Sequence, residues 1–235
     1  MLDVLWEDNH LLFVNKPAGV PSQGDSTGDV HLLEMAEEYI RVKYKKPGAA
    51  YVGLVHRIDR PVSGVVLFAK TSKALTRLND IFRDKENIKI YHALTSIPLL
   101  EESGTLEHYL IKDSETHRAH AYNQPRGAAK HSVMHYKLLA SLAGRYLYEI
   151  TLETGRFHQI RAQLSKVGCP IIGDLKYGAK NNLPDRSIAL HAHSLITPHV
   201  VRDMASVSVH APYPRKQWWG LFKDDLMKKG PKKYR

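Results

Sequence analysis

The chain has 235 residues, of which 43% are apolar and 25% charged; this composition is that of a globular protein and excludes wholesale disorder. Its 34 Lys and Arg against 24 Asp and Glu give a formal net charge of +10, an excess that favours a polyanionic partner such as nucleic acid. A single cysteine excludes an intrachain disulfide, and no apolar run could cross a bilayer, so we expect a cytoplasmic protein without a membrane partner.

The first half of the chain predicts both strands and helices. In chain order we expect strands over 4–6 and 11–14, a helix over 29–43, a strand over 65–69 and a helix over 72–82. Asp29 and Ser72 are the expected N-caps of the two helices, because a side-chain oxygen there can accept a backbone N–H of the first turn. The segment 65–69 is apolar without a break, which is typical of a strand buried on both faces.

The second half predicts more strands and one further helix. We expect strands over 88–94, 133–139 and 147–152, a helix over 157–167 closed by Gly168, and a basic tail over 223–235. The polar segment 112–130 carries several basic residues and is expected to form a loop or ribbon at the surface. Because strands and helices intermix without a regular βαβ rhythm, the pattern indicates an α+β fold with a mostly antiparallel sheet.

The segment 56–64 places one carboxylate between two cations in a loop that leads into the predicted buried strand. Asp59 stands between Arg57 and Arg60, and the proline and glycine that follow restrict the backbone. A carboxylate fixed on such a loop can act as a nucleophile or as a general base. A structural ion pair that holds the turn is the alternative interpretation of these residues.

A second cluster, Thr-Gly-Arg-Phe-His-Gln-Ile-Arg, runs from Thr154 to Arg161 and overlaps the helix predicted over 157–167. Arg161 follows His158 by about one helical turn, so a helix can direct both side chains toward a common point. An ordinary surface helix with exposed cations is the alternative.

A third cluster lies on the strand predicted over 88–94. Because side chains alternate along a strand, Lys89 and Tyr91 share one face, while Ile90 and His92 share the other. A tyrosine at such a position is either part of the core or a group that faces a site.

In order and spacing, these clusters resemble the RluA-type family of RNA pseudouridine synthases. The family motifs stand here as Asn-Lys-Pro-Ala-Gly at 15–19, His-Arg-Ile-Asp at 56–59 with Val-Ser-Gly at 62–64, Lys-Ile-Tyr-His-Ala at 89–93, Thr-Gly-Arg-Phe-His-Gln-Ile-Arg at 154–161, Pro-Ile-Ile-Gly-Asp-Leu-Lys-Tyr-Gly at 170–178 and Leu-His-Ala at 190–192. The resemblance extends from about residue 4 to 214. Val62 and Met134 stand where the family has a threonine, but neither departure removes a catalytic group.

The resemblance implies a catalytic role for three residues. Asp59 corresponds to the essential aspartate, which acts either as a nucleophile or as a base that removes a ribose proton. Tyr91 corresponds to the tyrosine that packs against the base, and Arg161 to the arginine that pairs with the catalytic carboxylate. Arg57 corresponds to the side chain that fills the gap left by a flipped uridine. The other residues expected to bind RNA are His56, Arg60, Lys89, Arg156 and His158.

The implied fold is α+β, a bent, mixed and mostly antiparallel sheet with flanking helices and loops around a basic catalytic cleft. We expect a catalytic domain over 1–222, the tail over 223–235 and no N-terminal S4 domain. The implied reaction converts uridines in structured ribosomal or transfer RNA to pseudouridine, by C1′–N1 cleavage, rotation of the base and C1′–C5 rejoining. It needs no cofactor and no metal, and we expect a monomer whose partner is an RNA stem-loop.

Three other functions remain open for the same residues. A non-catalytic RNA-binding protein on this fold explains the net charge, but not the presence of Asp59, Tyr91 and Arg161 together. A metalloenzyme is disfavoured because His131 and His135 have helical i, i+4 spacing without the glutamate of a zinc-protease motif. A two-carboxylate glycosidase is disfavoured because the motifs supply only one candidate catalytic carboxylate.

Overall fold

A computed structural model describes residues 1–201 and 204–222. In chain order its strands are β1 (Val4–Glu7), β2 (Leu11–Lys16), β3 (Gly53–Leu54), β4 (Ser63–Ala69), β5 (Ile88–Thr95), β6 (Ser103–Asp113), β7 (Arg118–Tyr122), β8 (Lys130–Leu142), β9 (Arg145–Leu152), β10 (Leu190–Thr197) and β11 (Val207–His210). The helices are α1 (Leu32–Lys43), α2 (Ser72–Arg83), α3 (Gln159–Lys166) and α4 (Gln217–Gly220), with a short 3-10 helix over Leu175–Tyr177. The tail predicted over 223–235 lies outside the described residues, and the domain boundary at 222 stays a prediction.

The chain divides into two compact units. The first comprises Met1–Lys89 and Ala192–Pro212, and the second comprises Ile90–His191 and Tyr213–Arg235. Each unit has its own set of neighbouring strands and its own buried apolar cluster.

The first unit is built around β4. Its strands follow the order β1-β2-β4-β10, with β3 also paired to β4 and β11 paired to β10. The pairs β1–β2, β2–β4, β3–β4 and β10–β11 are antiparallel. All seven residues of β4 are buried, which confirms the prediction of a strand covered on both faces. The buried apolar cluster includes Phe13, Leu67 and Leu78, so α2 packs its apolar side against the sheet.

In both helices of this unit the N-cap is a different residue from the one predicted. The cap of α1 is His31, whose Nδ1 accepts the backbone N–H of Glu34 at 3.2 Å, and the prediction of Asp29 was wrong. The cap of α2 is Thr71, whose hydroxyl accepts the backbone N–H of Ala74 at 3.1 Å, so Ser72 is the first helical residue.

A buried carboxylate ties β1 to α1 and to the end of β4. Glu7 accepts hydrogen bonds from the ammonium groups of Lys43 and Lys70, each at 2.6 Å. The hydroxyls of Tyr39 and Tyr44 donate to the same carboxylate at 2.8 Å each. Burial by itself would raise the pKa of Glu7, but these donors outweigh burial and lower the pKa from 4.5 to about 2.

The second unit contains a series of five antiparallel strands. Its order is β5-β9-β8-β6-β7, and all four pairings in this series are antiparallel. The segment predicted as a loop or ribbon over 112–130 is a ribbon, because β6 and β7 form a hairpin there. The strand β6 was not predicted, although it is 11 residues long. The strands pair mostly antiparallel and are accompanied by few helices, which confirms the predicted α+β class.

The helix α3 starts later than its sequence pattern indicated. The predicted helix covered 157–167, whereas α3 begins at Gln159. His158 precedes it with φ of 51°, in the left-handed region, so the chain turns sharply there instead of continuing a helix. This turn determines where the His158 ring points.

Candidate active site

In the first unit, the candidate catalytic aspartate lies on the loop between β3 and β4. Asp59 is half-buried, and the preceding residue Ile58 is buried beneath it. Ser22 holds Ile58 in place, because its hydroxyl donates to the Ile58 carbonyl at 2.8 Å and accepts the Ile58 N–H at 3.3 Å. The Asp59 carbonyl in turn accepts the N–H of the buried Val62 at 3.0 Å, which closes a tight turn. The backbone on both sides of Asp59 is therefore fixed.

The second residue of β4 is a glycine that has no room for a side chain. Gly64 has φ of +118°, a conformation that other residues rarely adopt. A Cβ atom added there would lie 2.2 Å from the carbonyl oxygen of Ala192 in β10. The start of β4 is thus packed backbone to backbone.

A fully buried lysine lies beneath the same loop. Lys16, at the end of β2, directs its ammonium group to the carbonyls of Pro17, Val20 and Arg60 at 3.0, 2.7 and 3.1 Å. Burial lowers the pKa of Lys16 to about 7; the negative charge of Asp59 opposes this effect and the positive charge of Arg60 adds to it. Lys16 was not among the predicted site residues, although it belongs to the motif at 15–19.

Arg60, predicted to bind RNA, is engaged with the segment that precedes α1. Its guanidinium donates to the Gly19 carbonyl at 2.9 Å and forms an ion pair with Asp29, and its Nη1 lies 3.7 Å from Asp25. These groups are 40 to 51% exposed, so solvent screens the ion pairs and their contribution to stability is small. Their consequence is geometric, because they connect the Asp59 loop to residues 19–29.

The remaining candidates of this unit differ in exposure. Arg57 is exposed. The His56 ring stacks on Phe82 with centroids 5.2 Å apart, and its Nε2 accepts the backbone N–H of Leu67 at 3.1 Å. Burial, together with the charge of Lys89, lowers the pKa of His56 to about 3, so the ring is neutral and holds β4. Burial also lowers the pKa of Lys89.

In the second unit, Arg161 lies on α3 and is held on two edges of its guanidinium. It forms a paired contact with Asp174, Nε to Oδ2 at 2.7 Å and Nη2 to Oδ1 at 2.9 Å, and both residues are buried. Its Nη1 donates to Nε2 of His158 at 3.0 Å, and the guanidinium lies 4.9 Å from the ring centroid of Tyr177. Arg161 and His158 contact each other, but the predicted reason is wrong, because His158 lies in the turn before α3 and not on the helix. The role of Asp174 was missed, although it stands in the motif at 170–178.

The protonation of His158 follows from these contacts. Because a guanidinium can only donate, Nε2 of His158 must accept, and the proton of the neutral ring is on Nδ1. That nitrogen lies 2.9 Å from the hydroxyl of Tyr177, which also accepts the backbone N–H of Ala119 at 2.7 Å. Burial, together with the positive charges of Arg161 and Lys176, lowers the pKa of His158 to about 3. His158 is thus a neutral connector between Arg161 and Tyr177.

Side chains of the motif at 154–161 form a buried polar cluster. The Thr154 hydroxyl contacts Oε1 of Gln159 at 2.8 Å and accepts the N–H of Val133 at 2.9 Å. Oε1 of Gln159 also accepts the backbone N–H of Arg156 at 2.9 Å. These bonds fix the turn before α3 and leave the Arg156 side chain exposed, with its Nε 3.3 Å from the His131 carbonyl.

Tyr91 lies in β5, where it is half-buried and pairs with Ile150 of β9. The predicted alternation is present, since Ile90 and His92 are buried while Lys89 and Tyr91 are partly exposed. The three candidate catalytic residues are distributed over the two units, Asp59 in the first and Tyr91 and Arg161 in the second.

Over residues 1–201 and 204–222, no group of three or more His, Cys, Asp or Glu side chains could hold a metal ion. His131 and His135 lie in a strand, β8, where His131 contacts Glu107 at 2.7 Å and His135 contacts Thr105 at 2.9 Å. None of the helices in the described part of the chain is long and apolar enough to cross a membrane.

Comparison with known proteins identifies relatives over most of the chain. Residues 10–166 match the sequence model of a family described as RNA pseudouridylate synthase. The chain is 35% identical over 216 residues to the uncharacterized RNA pseudouridine synthase YhcT of Bacillus subtilis, covering 91% of this chain and 69% of that protein. It is also 35% identical over 195 residues to ribosomal large subunit pseudouridine synthase C of Rickettsia felis, covering 82% of this chain and 61% of that protein. This chain therefore spans between 61 and 69% of the length of these two relatives.

A solved structure supports the fold. Human RNA pseudouridylate synthase domain containing 4 superposes with a TM-score of 0.76 at 22% identity, over 96% of this chain and 92% of that one. At this identity the match establishes the shared α+β architecture.

Proposed function

Because the chain belongs to the RluA-type family of RNA pseudouridine synthases, we propose that it converts uridines in RNA to pseudouridine. In this isomerisation the C1′–N1 bond breaks, the uracil turns while it is held, and a C1′–C5 bond forms. N1 gains a proton and C5 loses one, so the reaction consumes no donor, oxidant or reductant. We place this activity in the cytoplasm and assign it to a monomer.

Asp59 is the residue on which we propose that the reaction depends. The observation that carries this assignment is the fixed backbone of its loop, held from below by the Lys16 ammonium group and by the hydroxyl of Ser22. A reacting carboxylate has to be held in one position, since small displacements are costly to the rate. Asp59 acts as the nucleophile or as the base that removes a ribose proton, and each route needs the carboxylate to be held beside the target nucleotide.

Tyr91 and Arg161 complete the proposed catalytic group. In our proposal the Tyr91 ring packs against the uracil. Its oxygen takes up the proton that leaves C5 as the hydroxyl gives up its own proton, so that the side chain stays neutral and the isomerisation remains balanced. Arg161 is proposed to pair with the catalytic carboxylate, and the paired contact with Asp174 supports this role because it prevents the guanidinium from swinging away. His158 supports the guanidinium from a further side.

RNA binding is proposed to involve the exposed arginines of both units. Arg57 and Arg156 have exposed side chains, and we propose that Arg57 occupies the space left when the target nucleotide flips out. The RNA contacts expected of His56, Arg60, Lys89 and His158 stay predictions. The contacts described above show that His56, Arg60 and His158 also stabilise the structure around them.

The proposed substrate is ribosomal RNA of the large subunit, because the relative from Rickettsia felis is named for that RNA. A transfer RNA stem-loop is the other RNA to examine. Mapping pseudouridines in total RNA from a deletion strain beside the wild type identifies the target directly. A uridine that loses modification in the deletion strain should regain it when the wild-type gene is restored.

The decisive control is the same rescue with Asp59→Asn, which preserves the size of the side chain. Failure of this variant to restore the modification, at wild-type protein level, supports a catalytic carboxylate. Equal rescue by Asp59→Asn would refute the assignment. A deletion strain with an unchanged pseudouridine map would favour a non-catalytic RNA-binding protein on the same fold.

A further inference from the structure

A cavity in the second unit lies between β7, the end of α3 and the 3-10 helix. Its volume is about 450 Å³, within the range of roughly 300 to 1,000 Å³ of ligand sites. The floor is formed by buried residues, Ala119, Ala162 and Tyr177, which belong to one apolar cluster. The cavity is thus a formed depression on a packed base, with room for one nucleotide.

The walls of this cavity carry positive charge. Arg118 of β7, Lys166 of α3 and Lys176 of the 3-10 helix are exposed cations, and none of the lining residues is Asp or Glu. Lys176 is directed to the tip of the β6–β7 hairpin, with its Nζ 3.2 Å from the His117 carbonyl. Asp113 of that hairpin accepts hydrogen bonds from residues of the hairpin turn. Three cations around an uncharged floor favour an anionic ligand.

An aromatic ring lies at the edge of the same cavity. Tyr122 is half-buried and lines the cavity, and the guanidinium of Arg126 lies 5.0 Å from its ring centroid. Basic side chains combined with an aromatic ring are typical of surfaces that bind single-stranded nucleic acid, because phosphates and bases are contacted together. This combination favours RNA over an acidic peptide.

The cavity also adjoins the proposed catalytic group. Tyr177 forms part of its floor, while the guanidinium of Arg161 lies over the Tyr177 ring. The Tyr177 hydroxyl connects further to His158 and to the backbone of Ala119 in β7. A strand of RNA in the cavity would therefore rest on residues that hold Arg161.

We propose that this cavity is a subsite for single-stranded substrate RNA outside the target uridine. Arg118, Lys166 and Lys176 bind a backbone phosphate, and Tyr122 packs against the adjoining base or ribose. The identification of RNA as the ligand rests on the proposed function. The subsite itself requires only that RNA binds, not that it is modified.

The test compares two triple variants that remove equal charge. The first is Arg118→Gln, Lys166→Gln and Lys176→Gln; the control is Lys46→Gln, Lys73→Gln and Lys137→Gln, at exposed lysines outside the cavity. Binding of a fluorescein-labelled 40-nucleotide RNA hairpin is measured by anisotropy over a salt series.

We expect the cavity variant to bind about 10-fold more weakly than the control at about 0.1 M salt. Its log–log salt slope should be smaller by about 0.7 to 0.9 for each phosphate lost. Equal affinity and equal slopes for the two triple variants would overturn the proposal. On the mapped substrate, KM should rise while kcat is unchanged, because the subsite contributes to ground state and transition state alike.

Two measurements on the unmodified chain keep the proposal falsifiable if the triple variant does not fold. Ultraviolet crosslinking of the same RNA, followed by peptide mass spectrometry, should yield adducts in peptides that contain Tyr122 or residues 166–178. Adducts confined to other peptides would count against the subsite. Saturable binding of UMP that leaves RNA binding unaffected would assign the cavity to a free nucleotide and would also overturn it. Because neither measurement requires turnover, an inactive protein that still crosslinks there would refute the proposed function alone.

Discussion

Replacing Lys16 by Met removes a charge from the interior while keeping a side chain of similar length. In the native protein the Lys16 ammonium group donates to three carbonyls and has no exposed surface. Two effects of the substitution oppose each other near neutral pH. The loss of the donors leaves buried carbonyls unsatisfied, at about 1 to 3 kcal/mol each, whereas the cost of burying a charge disappears. The pH dependence of stability separates the two.

The magnitude follows from the pKa of Lys16 in the two states. Burial lowers it from the ordinary 10.5 to about 7 in the native protein. Between these values the unfolded chain holds a proton that the native chain has released, so the free energy of unfolding rises with pH. The two pKa values differ by about 3.5, which at about 1.4 kcal/mol per pH unit corresponds to about 5 kcal/mol over the whole window. Below pH 7 both states are protonated and the contribution is constant.

Urea unfolding of the wild type and of Lys16→Met, at intervals from pH 6.5 to 9.5, measures this directly. The stability of the wild type minus that of the variant should rise by about 3 kcal/mol between pH 7 and 9.5, because other titrating groups cancel in the difference. Parallel pH profiles would refute the reasoning. If the variant does not fold, the ε-carbon resonance of Lys16 in labelled wild-type protein should titrate near pH 7, and a midpoint near 10.5 would refute it equally.

Three further predictions concern acidic residues. Asp59→Asn should abolish pseudouridine formation while leaving RNA affinity within a few fold, as measured by modification mapping and filter binding; retained turnover would exclude an essential carboxylate. Asp174→Asn should lower the free energy of unfolding by about 3 to 5 kcal/mol, because it leaves the Arg161 guanidinium buried beside a neutral amide, and a loss below about 1 kcal/mol in urea would contradict this. Because the pKa of Glu7 is lowered to about 2 in the native protein, its ionised carboxylate stabilises the fold above pH 4.5. This stabilisation is lost as the pH falls toward 2. The two pKa values differ by about 2.5, which corresponds to about 3.5 kcal/mol at most, and solvent screening at Glu7 reduces the expected change to about 2 kcal/mol. In acid titrations the advantage of the wild type over Glu7→Gln should therefore shrink by about 2 kcal/mol across that window, and a constant difference would contradict the assigned pKa.

The sequence predicted those parts of the fold that depend on local apolar pattern. The uninterrupted apolar run 65–69 became β4, buried on both faces, and the α+β class followed from the mixture of elements. The N-caps failed because neighbouring residues compete for the same backbone N–H groups. At α1 the Nδ1 of His31 takes the position expected for Asp29, whose carboxylate is engaged by Arg60. The strand β6 was missed because its polar and apolar residues alternate too weakly to predict a strand.

Motifs in the sequence were enough to propose residues for the candidate site, but not the contacts that hold them. Asp59, Tyr91 and Arg161 could be named from motifs, whereas the partners that hold them depend on tertiary structure. Asp174 is 13 residues from Arg161 along the chain, and the pattern Gly-Asp was the only signal of its role. The burial of Lys16 had no signal, because lysine is ordinarily exposed and its carbonyl partners come from two separate loops.

The close approach of Gly64 to Ala192 separates two ways in which a substitution can inactivate this protein. Any side chain at position 64 must displace a neighbouring strand, so we expect such variants to be degraded in cells before their chemistry is tested. Substitutions at Asp59, five residues earlier, should leave the amount of protein unchanged. A scan that records cellular abundance together with RNA modification should therefore separate the two positions. Variants at position 64 should lose both abundance and modification, and a lower growth temperature should restore them in part. Variants at position 59 should keep their abundance and lose modification at every temperature.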